Sequence, residues 1–169
     1  MTTKAAFDLW QAGRLEEAAA CYREALDAMP ADDDVRGEIH GELAAVLQGL
    51  GDHAGALFHL EAALDGARRV ARSDAPLAVV VTRYFLADHL RQQGRSEDAL
   101  AAIAPSLDAG SEKASMLYVV EAEALLALGR REYAAVAAER ALALAPSDEK
   151  RAELAARFAA AGLGQARPA

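Results

Sequence analysis

Residues 13–30 read Gly-Arg-Leu-Glu-Glu-Ala-Ala-Ala-Cys-Tyr-Arg-Glu-Ala-Leu-Asp-Ala-Met-Pro. A glycine ends one helix, and a second helix follows with small residues at Ala18 and Ala25, an aromatic at Tyr22 between them, and Leu26. Pro30 closes the unit, because proline cannot donate into the helical ladder. The pattern returns three times. Gly51 leads to Ala56, Leu60, Ala63 and Leu64; Gly94 to Ala99, Ile103, Ser106 and Leu107; Gly129 to Ala134, Ala138, Ala141, Leu142 and Pro146. In each copy the small residue lies five after the glycine, and the next marks lie four and seven beyond it. That spacing keeps all the marks on one helical face.

A second pattern precedes each glycine: Ala5-Ala6 with Leu9, Leu43-Ala44 with Leu47, Leu86-Ala87 with Leu90, and Glu121-Ala122 with Leu125. Together the two resemble the tetratricopeptide repeat, whose signature is a large residue, Leu-Gly and Tyr on one helix, then Ala, an aromatic, Ala and Pro on the next. Departures are visible. Ala replaces the first-helix glycine, Leu replaces the tyrosine, and the glycine spacings are 38, 43 and 35 against about 34 in the family. The longer middle units are similar to the stretched repeats of the kinesin-light-chain type. The resemblance implies an all-α, right-handed superhelical solenoid of antiparallel hairpins, with about nine helices in one domain over residues 1–162. Repeats are expected at about 2–30, 35–72, 76–108 and 111–146, with Ser111 capping the seventh helix. Pro105 is expected to fray or kink the last turn of the sixth.

The ninth helix, 148–161, begins after Ser147, a residue type that caps helix starts. It carries Leu154 and Phe158 on one face, and Glu149, Lys150, Arg151 and Arg157 around the rest. A solenoid's last repeat leaves an apolar face that such a helix covers. Residues 163–169 are expected to be a flexible tail.

Composition sets limits on function. Apolar residues make up 53% and aromatics 5%, and alanine abundance favours helix. No apolar run reaches the ~18 residues of a membrane span. Residues 1–4 lead into an amphipathic helix rather than a signal-peptide core. One cysteine, Cys21, excludes an internal disulfide and a multi-cysteine metal site. These features suggest a cytoplasmic protein. A net charge of -8 disfavours nonspecific nucleic-acid binding.

The motifs of enzymes are missing: no Gly-rich phosphate loop, no His-Glu-x-x-His helix, no nucleophile elbow. Of His40, His53, His59 and His89 none lies three or four from another, so no helix presents two on one face. Cys21, near the packed face, reads as a small buried thiol. Glu16-Glu17 and Glu121/Glu123 are adjacent or alternate carboxylates that do not face each other on a helix. Asp32-Asp33-Asp34 suits the positive end of a helix dipole, and Arg68, Arg69 and Arg72 suit a negative end. No catalytic residue, metal or cofactor is expected.

The first helices of successive tetratricopeptide repeats line a concave groove. The resemblance carries there the residues about 120° from the packed face: Phe7 and Trp10, then Gly41, Ala45 and Gln48, then Tyr84, Asp88 and Arg91, then Val119, Glu123 and Leu126. The Lys/Asn pattern by which co-chaperone members hold a C-terminal carboxylate is missing. The sequence therefore points to a protein-binding module that takes a peptide or protein segment in its groove, as an adaptor, an assembly chaperone or a neutralising partner. The alternative is a self-associating scaffold that uses the Trp10 end or the terminal faces.

Overall fold

A computed structural model describes residues 2–74, 76–109 and 113–163. Nine α-helices and no strand occur among the described residues: α1 (Thr3–Gln11), α2 (Leu15–Ala28), α3 (Arg36–Gly49), α4 (His53–Ala71), α5 (Leu77–Gln92), α6 (Ser96–Asp108), α7 (Ala114–Ala127), α8 (Arg131–Ala143) and α9 (Asp148–Ala160). The chain divides into two compact units, Met1–Ser73 and Asp74–Ala169. The first holds the α1–α2 and α3–α4 hairpins. The second holds α5–α6, α7–α8 and α9.

Every first helix ends in the same way. Gly13, Gly51, Gly94 and Gly129 sit at φ between +74° and +76°, a left-handed conformation that costs glycine nothing and other residues strain. The turn then feeds two N–H groups back to the helix. At Gly94, for example, the Gly94 N–H bonds Arg91 O and the Arg95 N–H bonds Leu90 O, both at 2.9 Å. Orphan carbonyls at the helix end are thereby satisfied. Gly162 repeats the device at the end of α9, with φ +75° and the Leu163 N–H bonded to Phe158 O at 2.8 Å. Leu163 packs against the core beneath α9. The tail expected from residue 163 thus begins in ordered structure, and 164–169 lie outside the described residues, as does the Ser111 cap.

The small residues five after each glycine are the crossing points. Ala18, Ala56, Ala99 and Ala134 are all 0% exposed, and their size lets paired axes approach to about 8–10 Å. The α3–α4 hairpin goes further: a Cβ on Gly66 would lie 2.8 Å from Gly37 Cα. In the first unit the core gathers Ala6, Cys21, Tyr22, Ile39, Leu43 and Leu47. In the second, Leu154 and Phe158 of α9 join Val119, Ala122, Leu125 and the alanines of α8. The extra length between Gly51 and Gly94 goes into α4, which runs 19 residues against 14 for α2 and 13 for α6.

Polar groups hold the connections. Arg36 Nη1 donates to Leu26 O at 2.5 Å and Met29 O at 3.1 Å, closing the end of α2. Arg83 on α5 is 4% exposed; its guanidinium reaches Ala102 O at 2.5 Å and Asp74 Oδ1 at 2.7 Å. Ser106, fully buried, donates to Asp74 O at 2.6 Å. Pro105 does not fray α6, which continues to Asp108.

Ala99→Asp would place a charge without a partner at the α5–α6 crossing, which costs several kcal/mol (about 3 or more). Ala101→Asp, two residues along on the exposed side of α6, is expected to change stability by about 0.5 kcal/mol or less. Urea melts of the two variants test the register. Equal midpoints would show that Ala99 is not at a crossing.

Candidate functional site

Of the residues expected in a groove, the first unit holds five. Phe7 and Trp10 on α1 meet edge to face, ring centroids 5.8 Å apart. Phe7 is 41% exposed, while Trp10 leans on the unit's core. Gly41, Ala45 and Gln48 on α3 are partly buried. Gly41 faces α4, since a Cβ there would sit 4.0 Å from Ala63 Cβ. It lies at the edge of the helix packing.

The second unit holds the other six and brings four of them, Tyr84, Asp88, Arg91 and Glu123, together with Arg157, which periodicity did not single out. Asp88 on α5 is gripped by three donors. Arg91 Nε and Nη2 reach its Oδ1 at 3.1 and 2.6 Å, and Gln92 Nε2 reaches its Oδ2 at 2.7 Å. Glu123 on α7 lies between two guanidinium groups. Arg157 Nε of α9 donates to Oε1 at 2.6 Å, and Arg91 Nε stands 3.4 Å from Oε2. Tyr84, one turn before Asp88, is partly buried. Burial and the nearby Asp88 and Glu123 charges push its phenol pKa up, against the two arginines, so at neutral pH the hydroxyl is protonated. Leu126 is partly buried against the core.

Val119 departs from the expectation. It is 5% exposed and packs in the cluster with Leu154 and Phe158. The physical reason is packing between helices: Val119 belongs to the buried cluster to which α7, α8 and α9 all contribute. The same docking turns Arg157 toward Glu123. Seen from the sequence alone, Arg157 belonged to the polar back of α9. Period cannot distinguish a side chain facing water from one facing another helix's carboxylate. Glu121 and Glu123 diverge, as alternate residues should: Glu121 faces Arg140 of α8, and burial raises its carboxyl pKa against that arginine. Arg68 and Arg69 occupy the last turn of α4, where cations match the dipole. Cys21 is buried.

One pair of titratable groups was not legible. His40 of α3 and His59 of α4 place their Nδ1 atoms 2.8 Å apart with rings stacked at 5.0 Å. A search along single helices misses them, because they lie on the two facing helices of one hairpin, 11 residues before and 8 after Gly51. Pairing positions across a hairpin turn is the signal that finds such a pair. One ring must donate and the other accept. Burial lowers both pKa values. For His59 the neighbouring His40 and Arg23 add to the effect and Asp52 opposes it, leaving about 4; for His40 Arg36 adds to it. Among the described residues no group of three or more His, Cys, Asp and Glu could hold a metal ion, and no helix is long and apolar enough to cross a membrane.

The sign of the pH effect follows. Both folded-state values lie below the ordinary ~6.5, so the unfolded chain takes up protons first. The pair's stability is complete above about pH 6.5 and is lost as pH falls toward 4. With allowance for partial solvent screening, the loss from His59 between pH 7.5 and 5 is expected to be about 1 kcal/mol. His59→Phe, which keeps a ring for stacking, should remove that part of the acid sensitivity. Chemical denaturation at the two pH values measures it, and identical pH slopes for parent and variant would contradict it.

Residues 9–32 match the family model described as Tetratricopeptide repeat. No curated protein matches the chain. The matched segment contains the whole of α2 and the glycine turn before it, and that unit's pattern of glycine turn, buried alanine and packed second helix recurs at Gly51, Gly94 and Gly129. The match is confined to this one unit, and the nine helices among the described residues are consistent with repeats of the tetratricopeptide type.

Proposed function

We propose that this protein is a non-enzymatic binding module, and that the face of the second unit formed by α5, α7 and α9 receives a peptide or protein segment. The observation that carries the reading is the mixture on that face. Tyr84 and Leu126 offer partly buried apolar surface, and Asp88, Arg91, Glu123 and Arg157 form a linked row of charges among them. A face serving only water has no use for the first set, and a face serving only packing would exclude the second. Binding surfaces concentrate energy in Trp, Tyr and Arg, at about 2 kcal/mol or more each on truncation. Such a module serves as an adaptor, an assembly chaperone or a neutralising partner.

A second reading, self-association as a scaffold, draws on the exposed Phe7 beside Trp10 in the first unit. Exposed aromatics of this kind mark interfaces. Light scattering over a range of concentrations separates the two readings.

Tyr84→Ala combined with Arg91→Ala is expected to weaken capture of the partner about 100-fold or more, with the helical circular dichroism retained. Replacing Arg68 and Arg69 on α4 should matter far less. The partner is first isolated on the parent protein, identified, and then titrated against each variant. Undiminished affinity of the Tyr84/Arg91 variant, together with loss in the Arg68/Arg69 variant, would move the binding site away from this face.

A further inference from the structure

The charged row on α5, α7 and α9 has equal numbers of carboxylates and guanidinium groups, but its hydrogen-bonding capacity is one-sided. The carboxylates have little left that a ligand can reach. Asp88 accepts from Arg91 twice and from Gln92. Glu123 Oε1 accepts from Arg157; its Oε2, 3.4 Å from Arg91 Nε, is buried and has no hydrogen-bond partner. The arginines are only partly used. A guanidinium carries five N–H donors. Among the described residues Arg91 spends Nε and one N–H of Nη2, and Arg157 spends Nε alone. Nη1 of Arg91 and both terminal nitrogens of Arg157 have donors left. The Tyr84 hydroxyl, held protonated, adds another.

Exposure runs the same way. The Arg157 side chain is 43% exposed and that of Glu123 17%, while Arg91 and Asp88 are nearly equal at 25% and 23%, so an approaching segment meets Arg157 before Glu123. A lysine or arginine arriving here would meet Asp88 and Glu123 Oε1 already bonded, a buried Glu123 Oε2 and two like charges. An arriving acceptor finds donors already fixed in place, and guanidinium recognises carboxylates through paired donors. Asp88 and Glu123 act as the holders of the two arginines.

We infer that Arg91 and Arg157 receive an acidic side chain, aspartate or glutamate, from a bound protein segment whose neighbouring residues are apolar. The inference rests on the groove reading above and adds the chemistry of the ligand. No net attraction draws the acid in, because the row is neutral as a whole. The selection comes from donor geometry, and affinity should fall only moderately with salt.

The test uses the full chain and a displayed library of random short peptides as probe. Peptides that bind are remeasured with each Asp changed to Asn and each Glu to Gln, against the parent, Arg91→Gln, Arg157→Gln and Tyr84→Ala. All four proteins are first checked for equal helical signal. The expected result is that binders carry an acid among apolar residues, and that its amide form binds about 10- to 100-fold more weakly. On the Arg91→Gln and Arg157→Gln proteins the acid and amide forms should converge. Binders that lose affinity on Tyr84→Ala yet are indifferent to the amide change, or that are enriched in lysine, would overturn the carboxylate inference and leave the groove reading standing. Binders indifferent to Tyr84, Arg91 and Arg157 alike would overturn the groove reading itself.

Discussion

Each hairpin depends on one backbone residue at positive φ. A helix that must stop and reverse leaves carbonyls without partners, and the left-handed glycine lets the next two N–H groups turn back to satisfy them. Because the turn is the same at Gly13, Gly51, Gly94 and Gly129, the second helix of every pair leaves at the same angle and meets the first at the same position, five residues on. That position must be small. Ala18, Ala56, Ala99 and Ala134 are accordingly without exposed surface. The turn sets the geometry, the alanine permits it, and the buried apolar side chains around it supply the area that stabilises it. Gly162 shows the rule extended to α9, which ends as a first helix does and contributes to the face of the second unit as a first helix would.

These features were legible because they are local. A glycine, an alanine five later and a proline beyond need no knowledge of distant chain, and the helix bounds follow within a residue or two. What escaped the sequence depends on contacts between separate helices. Val119 satisfies the angular rule for a groove residue, yet it is buried in the cluster that α7, α8 and α9 share. Arg157 looks like a solvated residue until α9 docks and brings it to Glu123. Arg83, Asp74 and Ser106 meet from three segments to fix the start of the second unit, and no spacing announces them. His40 and His59 are 19 residues apart and adjacent in space.

The His40–His59 contact illustrates how the packing of a hairpin stores acid sensitivity. Two imidazoles share a hydrogen bond only while at least one is neutral. Here partial burial and the cations Arg23 and Arg36 keep both neutral at ordinary pH. The pair sits in the most closely approached hairpin, where Gly37 and Gly66 leave no room for a Cβ. A second proton would be accommodated there only by separating the rings.

The charged row on α5, α7 and α9 follows a different logic from the core. Ion pairs at partial exposure add little stability, because desolvation and side-chain entropy offset the Coulomb gain. Their value lies in position. An arginine left alone samples many rotamers and loses about 2 kcal/mol of conformational freedom when a ligand fixes it. Arg91, held by Asp88 on its own helix and by Glu123 on the next, has lost that freedom before any ligand arrives. Arg157 is held by Glu123 in the same way. A carboxylate shared by two guanidinium groups from different helices also ties α9 and α5 to α7. The alanine-rich packing beneath gives these side chains a rigid base, and the acids between them hold the donors outward.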